Sequence, residues 1–247
     1  MILTAPLYVL RHGETAWNLE RRLQGSKNSE LTERGRMQAA GLGRALRDEL
    51  AREPGPTLFL RSPLGRTRET SLIVGQELGV DPAEWRDDLR LAELSFGQWD
   101  GLTWEEIELD RPNARADWRA DPEAFVAPGG ESHFELRRRS AAVLAEIVAS
   151  ETRTVVIGHG ISGAVLRGVH LGLDAGATIA LEKPQEAYFR LITGCEERIG
   201  ATLCVPPAGQ VGGQRSTVPS LCPNEHRGNL DHAAGGLAYD PSDRRVV

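Results

Sequence analysis

The sequence predicts an α/β fold, a mostly parallel sheet flanked by helices on both faces, and two patterns underlie that expectation. Short apolar runs at 7–10, 57–60 and 154–157 alternate with longer stretches in which apolar residues recur at helical spacing, the arrangement of βαβ units. The chemically rich residues Arg11, His12, Arg61, Glu93 and His159 each follow an expected strand. In such folds ligands bind beyond the carboxyl ends of the strands.

Taken in order, residues 6–10 read as a buried strand, and a helix runs from about 31 to 51. Thr32 caps it, and Met37, Leu42, Ala45, Leu46 and Leu50 recur along one face. Pro54-Gly55-Pro56 breaks the chain before a strand at 57–60 that ends at Arg61. Ser62-Pro63 opens a second helix, with Pro in the first turn, Leu72, Ile73 and Leu78 inside and Gly79 at its close. A third strand is expected around 89–91, leading to Glu93. Residues 99–118 read as helical in pieces, and Asp121-Pro122 and Pro128-Gly129-Gly130 mark breaks. A long helix from 131 to 150 carries Phe134, Ala141, Leu144 and Val148 on one face. A strand at 154–157, a helix with Val165, Leu166 and Val169, and a last strand at 187–191 complete the pattern. The expected division is a domain over 1–199 and an irregular, disordered tail over 200–247, where Gly and Pro are scattered and periodicity stops.

The 247 residues include 40% hydrophobic and 26% charged side chains, a soluble, globular balance with enough apolar mass for a substantial core. A net charge of −6 argues against nucleic acid or an anionic membrane as partner, yet permits a small anionic substrate held by a local Arg cluster. Three Cys, all in the last quarter, make no disulfide framework and suit a reducing cytoplasm. The N-terminus lacks the basic region of a signal peptide, and no apolar run approaches the ~20 residues a membrane span needs.

The segment Arg11-His12-Gly13-Glu14-Thr15 presents an imidazole beside an Arg at a strand end, and Arg61-Ser62-Pro63, Leu91-Ala92-Glu93 and Gly158-His159-Gly160 recur at later ones. A neutral imidazole is a good nucleophile toward phosphorus where positive charge surrounds the phosphoryl group, with no need for a metal. Arg11 and Arg61 offer forked donors to phosphate oxygens. His159, when protonated, adds another, and the helix start at Gly160 favours an anion through its free N–H groups. Glu93 supplies the leaving-group proton if burial raises its affinity for one. Nearby Asp100, Glu105 and Glu106 compete for that role. Arg66 and Arg68 read equally as surface charges of the second helix.

These elements together resemble the histidine phosphatase superfamily, also called phosphoglycerate mutase-like, over roughly residues 6–193. The match includes Arg11-His12-Gly13-Glu14-Thr15 with Asn18, Leu23-Gln24-Gly25, Leu31-Thr32 with Gly35, and Arg61-Ser62-Pro63 with Arg66 and Thr70. It continues through Glu93, Phe96-Gly97-Gln98-Trp99-Asp100-Gly101, Pro128-Gly129-Gly130-Glu131-Ser132 and Gly158-His159-Gly160 with Leu166-Arg167-Gly168. The resemblance implies a three-layer sandwich, His12 as phosphohistidine nucleophile, Arg11, Arg61 and His159 as phosphate pocket, Glu93 as general acid and Asn18 as a contact of the phosphate or the nucleophile. Gln24, Gly25 and Gly160 join the implied binding set, with specificity expected from 24–30 and 102–127. No metal or cofactor is implied, and oligomeric state is not readable.

Phosphoglycerate mutases share this core but carry a longer Arg- and Pro-rich insertion after the acid. Here 102–127 is short, and the mutase-type Asp-x-Pro-Leu-Thr element stands altered as Asn28-Ser29-Glu30-Leu31-Thr32, which favours a phosphatase of small metabolites. A mutase, or an idle phospho-ligand binder, is the alternative. Three other signals read as bland. Residues 158–163 match G-x-G-x-x-G but come late with a bulky His in the turn, and Cys204, Cys222, His226 and His232 fit no compact zinc site. Arg137-Arg138-Arg139 reads as solvated helix surface, and the five Trp as core or pocket wall.

Overall fold

The computed structural model describes residues 3–202; the four Cys and His weighed as zinc ligands, and all but the first residues of the expected tail, lie outside them. Six strands, β1 (Leu7–Arg11), β2 (Thr57–Arg61), β3 (Trp85–Asp87), β4 (Arg153–Gly158), β5 (Ala187–Ile192) and β6 (Cys195–Gly200), form one sheet in the order β3-β2-β4-β1-β5-β6. The first four run parallel, while β5 is antiparallel to β1 and β6 to β5. Among the described residues the helices are α1 (Ala16–Leu19), α2 (Glu33–Leu50), α3 (Gly65–Leu78), α4 (Trp104–Asp110), α5 (Ala114–Ala120), α6 (His133–Ser150), α7 (Gly160–Leu171) and α8 (Ala175–Ala180). None is long and apolar enough to cross a membrane.

The strand period of two splits the core between the sheet faces. Leu7, Val9, Leu60 and Val156 point to one side, where they meet Val143, Leu144 and Ile147 of α6 and Leu166 of α7. Tyr8, Leu10, Phe59, Val155 and Ile157 point to the other, against Leu42 and Leu46 of α2 and Val74 of α3. A third cluster, built on Phe96, Trp99, Trp104, Ile107 and Leu136, lies under α4 and α5 and makes a cap at one end of the molecule. The Trp residues of that segment are core, as the sequence predicts.

Caps fix where the long helices start. The Thr32 side chain accepts the Gly35 N–H, and Ser132 and Glu135 form a reciprocal capping box ahead of α6. Three elements differ from the sequence reading. The strand expected at 89–91 is a 3₁₀ turn, because the Asp88 side chain accepts the Arg90 N–H and closes it; the strand lies earlier, where Trp85 packs on Phe59. Leu144 is buried as expected but Phe134 is exposed, and the buried face of α6 is completed by His133, Leu136, Ser140, Val143 and Ile147. Pro63 precedes α3, whose N-cap is Leu64.

A sixth strand also escaped the sequence. Cys195-Glu196-Glu197-Arg198-Ile199-Gly200 has few apolar residues because it is a sheet edge. Its Glu196 turns inward, and both carboxylate oxygens accept from Arg167 of α7 at 2.8 Å, while the Arg167 guanidinium stacks on Phe189 at 3.3 Å. The side chains of this pair are 3% and 8% exposed. Replacing Glu196 with Leu strands a buried cation, and the expected cost is about 3–5 kcal/mol in urea unfolding at neutral pH. A cost under about 1 kcal/mol would mean the pair contributes no more than a surface one.

Candidate active site

The central parallel strands end within one residue of each other: Arg11 lies opposite Gly158, and Arg61 opposite Ile157, one residue earlier. The sheet continues one residue further, with the His12 N–H donating to Gly158 O at 3.1 Å and the Ser62 N–H to Ile157 O at 3.0 Å. The next residues of β1, β2 and β4 are therefore His12, Ser62 and His159, delivered side by side at the carboxyl end of the sheet. The two imidazoles meet edge to face with centroids 5.3 Å apart, and each is only 2% exposed.

Each ring has its tautomer set by a neighbour. His12 Nδ1 lies 2.7 Å from Gly13 O, so that nitrogen carries the proton and Nε2 keeps its lone pair. Gly13 can hold this position because its backbone lies against Gly35, where a Cβ would sit 2.2 Å from the Gly35 carbonyl oxygen. His159 Nδ1 accepts from Arg66 Nε at 3.1 Å, which leaves the proton on Nε2, 2.7 Å from Ser62 Oγ. Burial holds His12 well below the ordinary imidazole value, with Arg66 and then Arg11 adding to the effect; the same causes, joined by His12 and Arg139, act on His159. His159 is thus neutral here, where the sequence reading considered a protonated donor.

Arg66 is 1% exposed. Its Nη1 donates to Lys27 O at 2.6 Å, its Nη2 to Gly25 O at 3.0 Å, and its backbone N–H to Asn28 Oδ1 at 2.8 Å. Thr70, one turn on, donates to Arg66 O and accepts the Gly13 N–H, tying α3 to the segment after β1. Burial pulls the Arg66 guanidinium down to about 10, opposed by Glu93. Arg11 donates from Nη1 to Lys183 O at 2.5 Å, and its buried Nε has no partner among the described residues, a donor open to an anion. Lys183 adds a further cation, lowered to about 8 by burial and by Arg11 and Arg167.

Glu93 sits before α7 and takes the Ile161 N–H on Oε2 at 3.0 Å and the Ser162 and Leu94 N–H groups on Oε1 at 2.8 and 2.9 Å. Of roughly four lone-pair sites on a carboxylate, only one on Oε2 is left for a proton. Arg139 holds this segment from behind: Nη1 donates to the carbonyls of Arg90 and Ala92, and Nη2 donates to that of Glu93. Arg139 is therefore no solvated surface residue. Of the competing acids, Asp100 is 2% exposed and accepts from Ser26 N, Ser26 Oγ and Phe96 N, while Glu106 caps α4 and pairs with Arg22.

The main correction concerns Arg61. Its Nε donates to Asp87 Oδ1 at 2.7 Å and its Nη1 to Ser71 Oγ at 2.8 Å, across the sheet edge rather than into the cluster, and it is not among the charges acting on either imidazole. Asp87, its register partner on β3, and Ser71 of α3 hold the guanidinium at that edge. Arg66 occupies the position expected of Arg61. The spacing of four between Arg66 and Thr70, one helix face just past a strand end, is the signal that pointed there.

The other expected residues surround the cluster. Asn18 Oδ1 accepts from Thr15 N, Thr15 Oγ1 and Gln185 Nε2, and Gln185 Nε2 also reaches His12 O at 3.3 Å. Gln24 Nε2 donates to Thr15 Oγ1, with its Oε1 buried and unpartnered. Gly25, at φ +49°, contributes its carbonyl to Arg66 and has no room for a Cβ, which would lie 1.7 Å from Asp100 Oδ1. Gly160 packs on the Arg11 guanidinium. Sequence reasoning missed Ser62, Arg139 and Gln185 as site-forming residues; no spacing signal marks Arg139 or Gln185.

The chain is 37% identical over 199 residues to glucosyl-3-phosphoglycerate phosphatase of Mycobacterium tuberculosis, covering 76% of this chain and 85% of that protein. It is 40% identical over 180 residues to the probable phosphoglycerate mutase GpmB of Salmonella paratyphi C, covering 69% and 77%. The solved structure of mycobacterial glucosyl-3-phosphoglycerate phosphatase with VO3 superposes with a TM-score of 0.64 at 32% identity, over 76% of this chain and 90% of that one. The family model of the histidine phosphatase superfamily (branch 1) matches residues 7–193, from the first residue of β1 to just past β5, and the chain belongs to that superfamily.

Proposed function

We propose that this phosphatase hydrolyses the phosphomonoester of a small metabolite in the cytoplasm by way of a phosphohistidine on His12. The observation that carries the proposal is an unprotonated His12 Nε2 on a ring packed against the imidazole of His159, to which the buried guanidinium of Arg66 donates. His12 Nε2 attacks phosphorus while the P–O ester bond breaks. Arg11, Arg66 and the His159 N–H stabilise the charge on the equatorial oxygens. A proton on the open Oε2 site of Glu93 passes to the departing alkoxide. Water, losing its proton to Glu93, then breaks the P–N bond and releases phosphate. Protein cations supply the positive charge, so no metal is needed.

The relatives named glucosyl-3-phosphoglycerate phosphatase support an organic leaving group larger than an alkyl chain. Those named probable phosphoglycerate mutase keep transfer between hydroxyls as the second reading. The altered 28–32 element and the short 102–127 segment weigh against it.

Phosphate release from a panel of sugar phosphates, phosphoglycerates and an aryl phosphate tests the proposal. His12→Ala is expected to abolish turnover and a chelator to leave it intact; retained turnover in His12→Ala would refute the phosphohistidine route. Arg66→Met is expected to lower kcat/KM by about 10²–10³-fold, as for loss of one preorganised donor. Arg61→Met should cost about 1 kcal/mol of stability and little activity, and the opposite ranking would restore Arg61 to the site.

Glu93→Gln is expected to lower kcat by about 10²–10⁴-fold for an alkyl phosphate and far less for phosphorylation of His12 by an aryl phosphate, whose leaving group needs no acid. Equal losses in single-turnover measurements would remove Glu93 from that role. Both imidazoles are held neutral well below the ordinary 6.5. The acid limb of kcat/KM for His12 protonation therefore lies well under that value, and Arg66→Met shifts it upward. A limb at 6.5 in the wild type would contradict the desolvated site.

A further inference from the structure

One short segment, 182–185, grips the carboxyl end of β1 from late in the chain. α8 stops at Ala180, and Pro184 bars the residue before it from resuming the helix. The segment is anchored on the side away from His12. Arg167, itself locked by Glu196, donates from Nη1 to Glu182 O at 2.6 Å. The Lys183 ammonium folds back onto the carbonyls of Ile179 and Leu181 at 2.5 and 2.8 Å, closing the end of α8.

From that base the segment makes three bonds into the site. Lys183 O takes Arg11 Nη1, while Gln185 Nε2 donates to His12 O at 3.3 Å and to Asn18 Oδ1 at 3.0 Å. The partners decide how both amides lie. His12 O can only accept, so the group facing it is the NH2 of Gln185. The Thr15 N–H can only donate, so the Asn18 atom it meets at 3.0 Å is the oxygen. Thr15 Oγ1 and Gln185 Nε2 converge on that same oxygen. Asn18 Nδ2 donates to no protein group among the described residues, which leaves it as the end that an anion can meet.

On the reading of the site as a phosphatase, we propose that Gln185 is a positioning residue of the phosphate pocket. It bridges the His12 backbone to the Asn18 amide and so holds the Asn18 Nδ2 donor at a set distance from the nucleophile. Each half of the bridge needs the other. Without Asn18 the Gln185 amide holds only the His12 carbonyl, and without Gln185 the Asn18 oxygen answers only to Thr15, within its own helix start. The bridge acts on the phosphoryl end of the substrate, so its effect is common to every ester.

The test measures inorganic phosphate affinity by calorimetry, and kcat/KM on a hexose phosphate and on phenyl phosphate. The proteins compared are the wild type, Gln185→Met, Asn18→Ala and the double variant. Met matches Gln in length and lacks the donor. Gln185→Met is expected to weaken phosphate binding and to lower kcat/KM on both esters by roughly 10-fold. The double variant loses less than the product of the two single losses, as for residues that act through one another. A double variant that loses the full product would separate Gln185 from Asn18, and a loss on one ester alone would make Gln185 a leaving-group contact. Lower thermal stability with unchanged phosphate affinity would make it structural only; each of these three results overturns the proposal. Turnover that survives His12→Ala is a different failure: it removes the phosphatase reading, while the phosphate titrations still judge Gln185.

Discussion

One desolvated guanidinium organises the site. Arg66 points into the protein, and what faces it is an imidazole nitrogen and two carbonyls. None of these partners is a carboxylate, so its charge is solvated by dipoles rather than cancelled. Burial keeps the neighbouring imidazoles neutral, that charge adds to the effect, and it leaves positive potential for an anion. The arrangement costs stability when empty and favours phosphate when filled.

The sheet supplies the precision this requires. β1, β2 and β4 are parallel neighbours, and their ends, within one residue of each other, set His12, Ser62 and His159 with no loop between strand and functional side chain. Sites placed on such rigid elements hold their geometry better than sites on loops. Arg139 extends the same logic to Glu93, fastening by three carbonyls a stretch that has no sheet partner of its own.

Much of this was legible in the sequence because strand ends and short side chains obey local rules. His12 and His159 follow apolar runs directly, so the register that buries the runs also aims the imidazoles. The residues misread were long or held by distant partners. Arg61 and Arg66 are chemically identical in sequence, and only the contacts of Arg61 with Asp87 and Ser71 separate them. Arg139 stands in a run of three arginines, and its inward turn depends on Glu131 and the 90–93 carbonyls. The strand at 85–87 was displaced in the reading because the apolar residues that follow it, Leu89 and Leu91, belong to a turn closed by Asp88. β6 gave no apolar signal, since an edge strand needs none.

Asp100 binds the cap to the phosphate cradle more tightly than a two-part architecture suggests. Through Ser26 and Phe96 its carboxylate joins the 24–27 loop to the cap segment, and its carbonyl takes the Lys27 ammonium at 2.6 Å. The carbonyls of that same loop hold Arg66. Specificity and anion affinity are consequently not modular in this chain. A cap borrowed from another family member would arrive with its own geometry at position 100, and unless the 24–27 loop were borrowed with it, the graft would retune the very guanidinium on which the proposed chemistry rests.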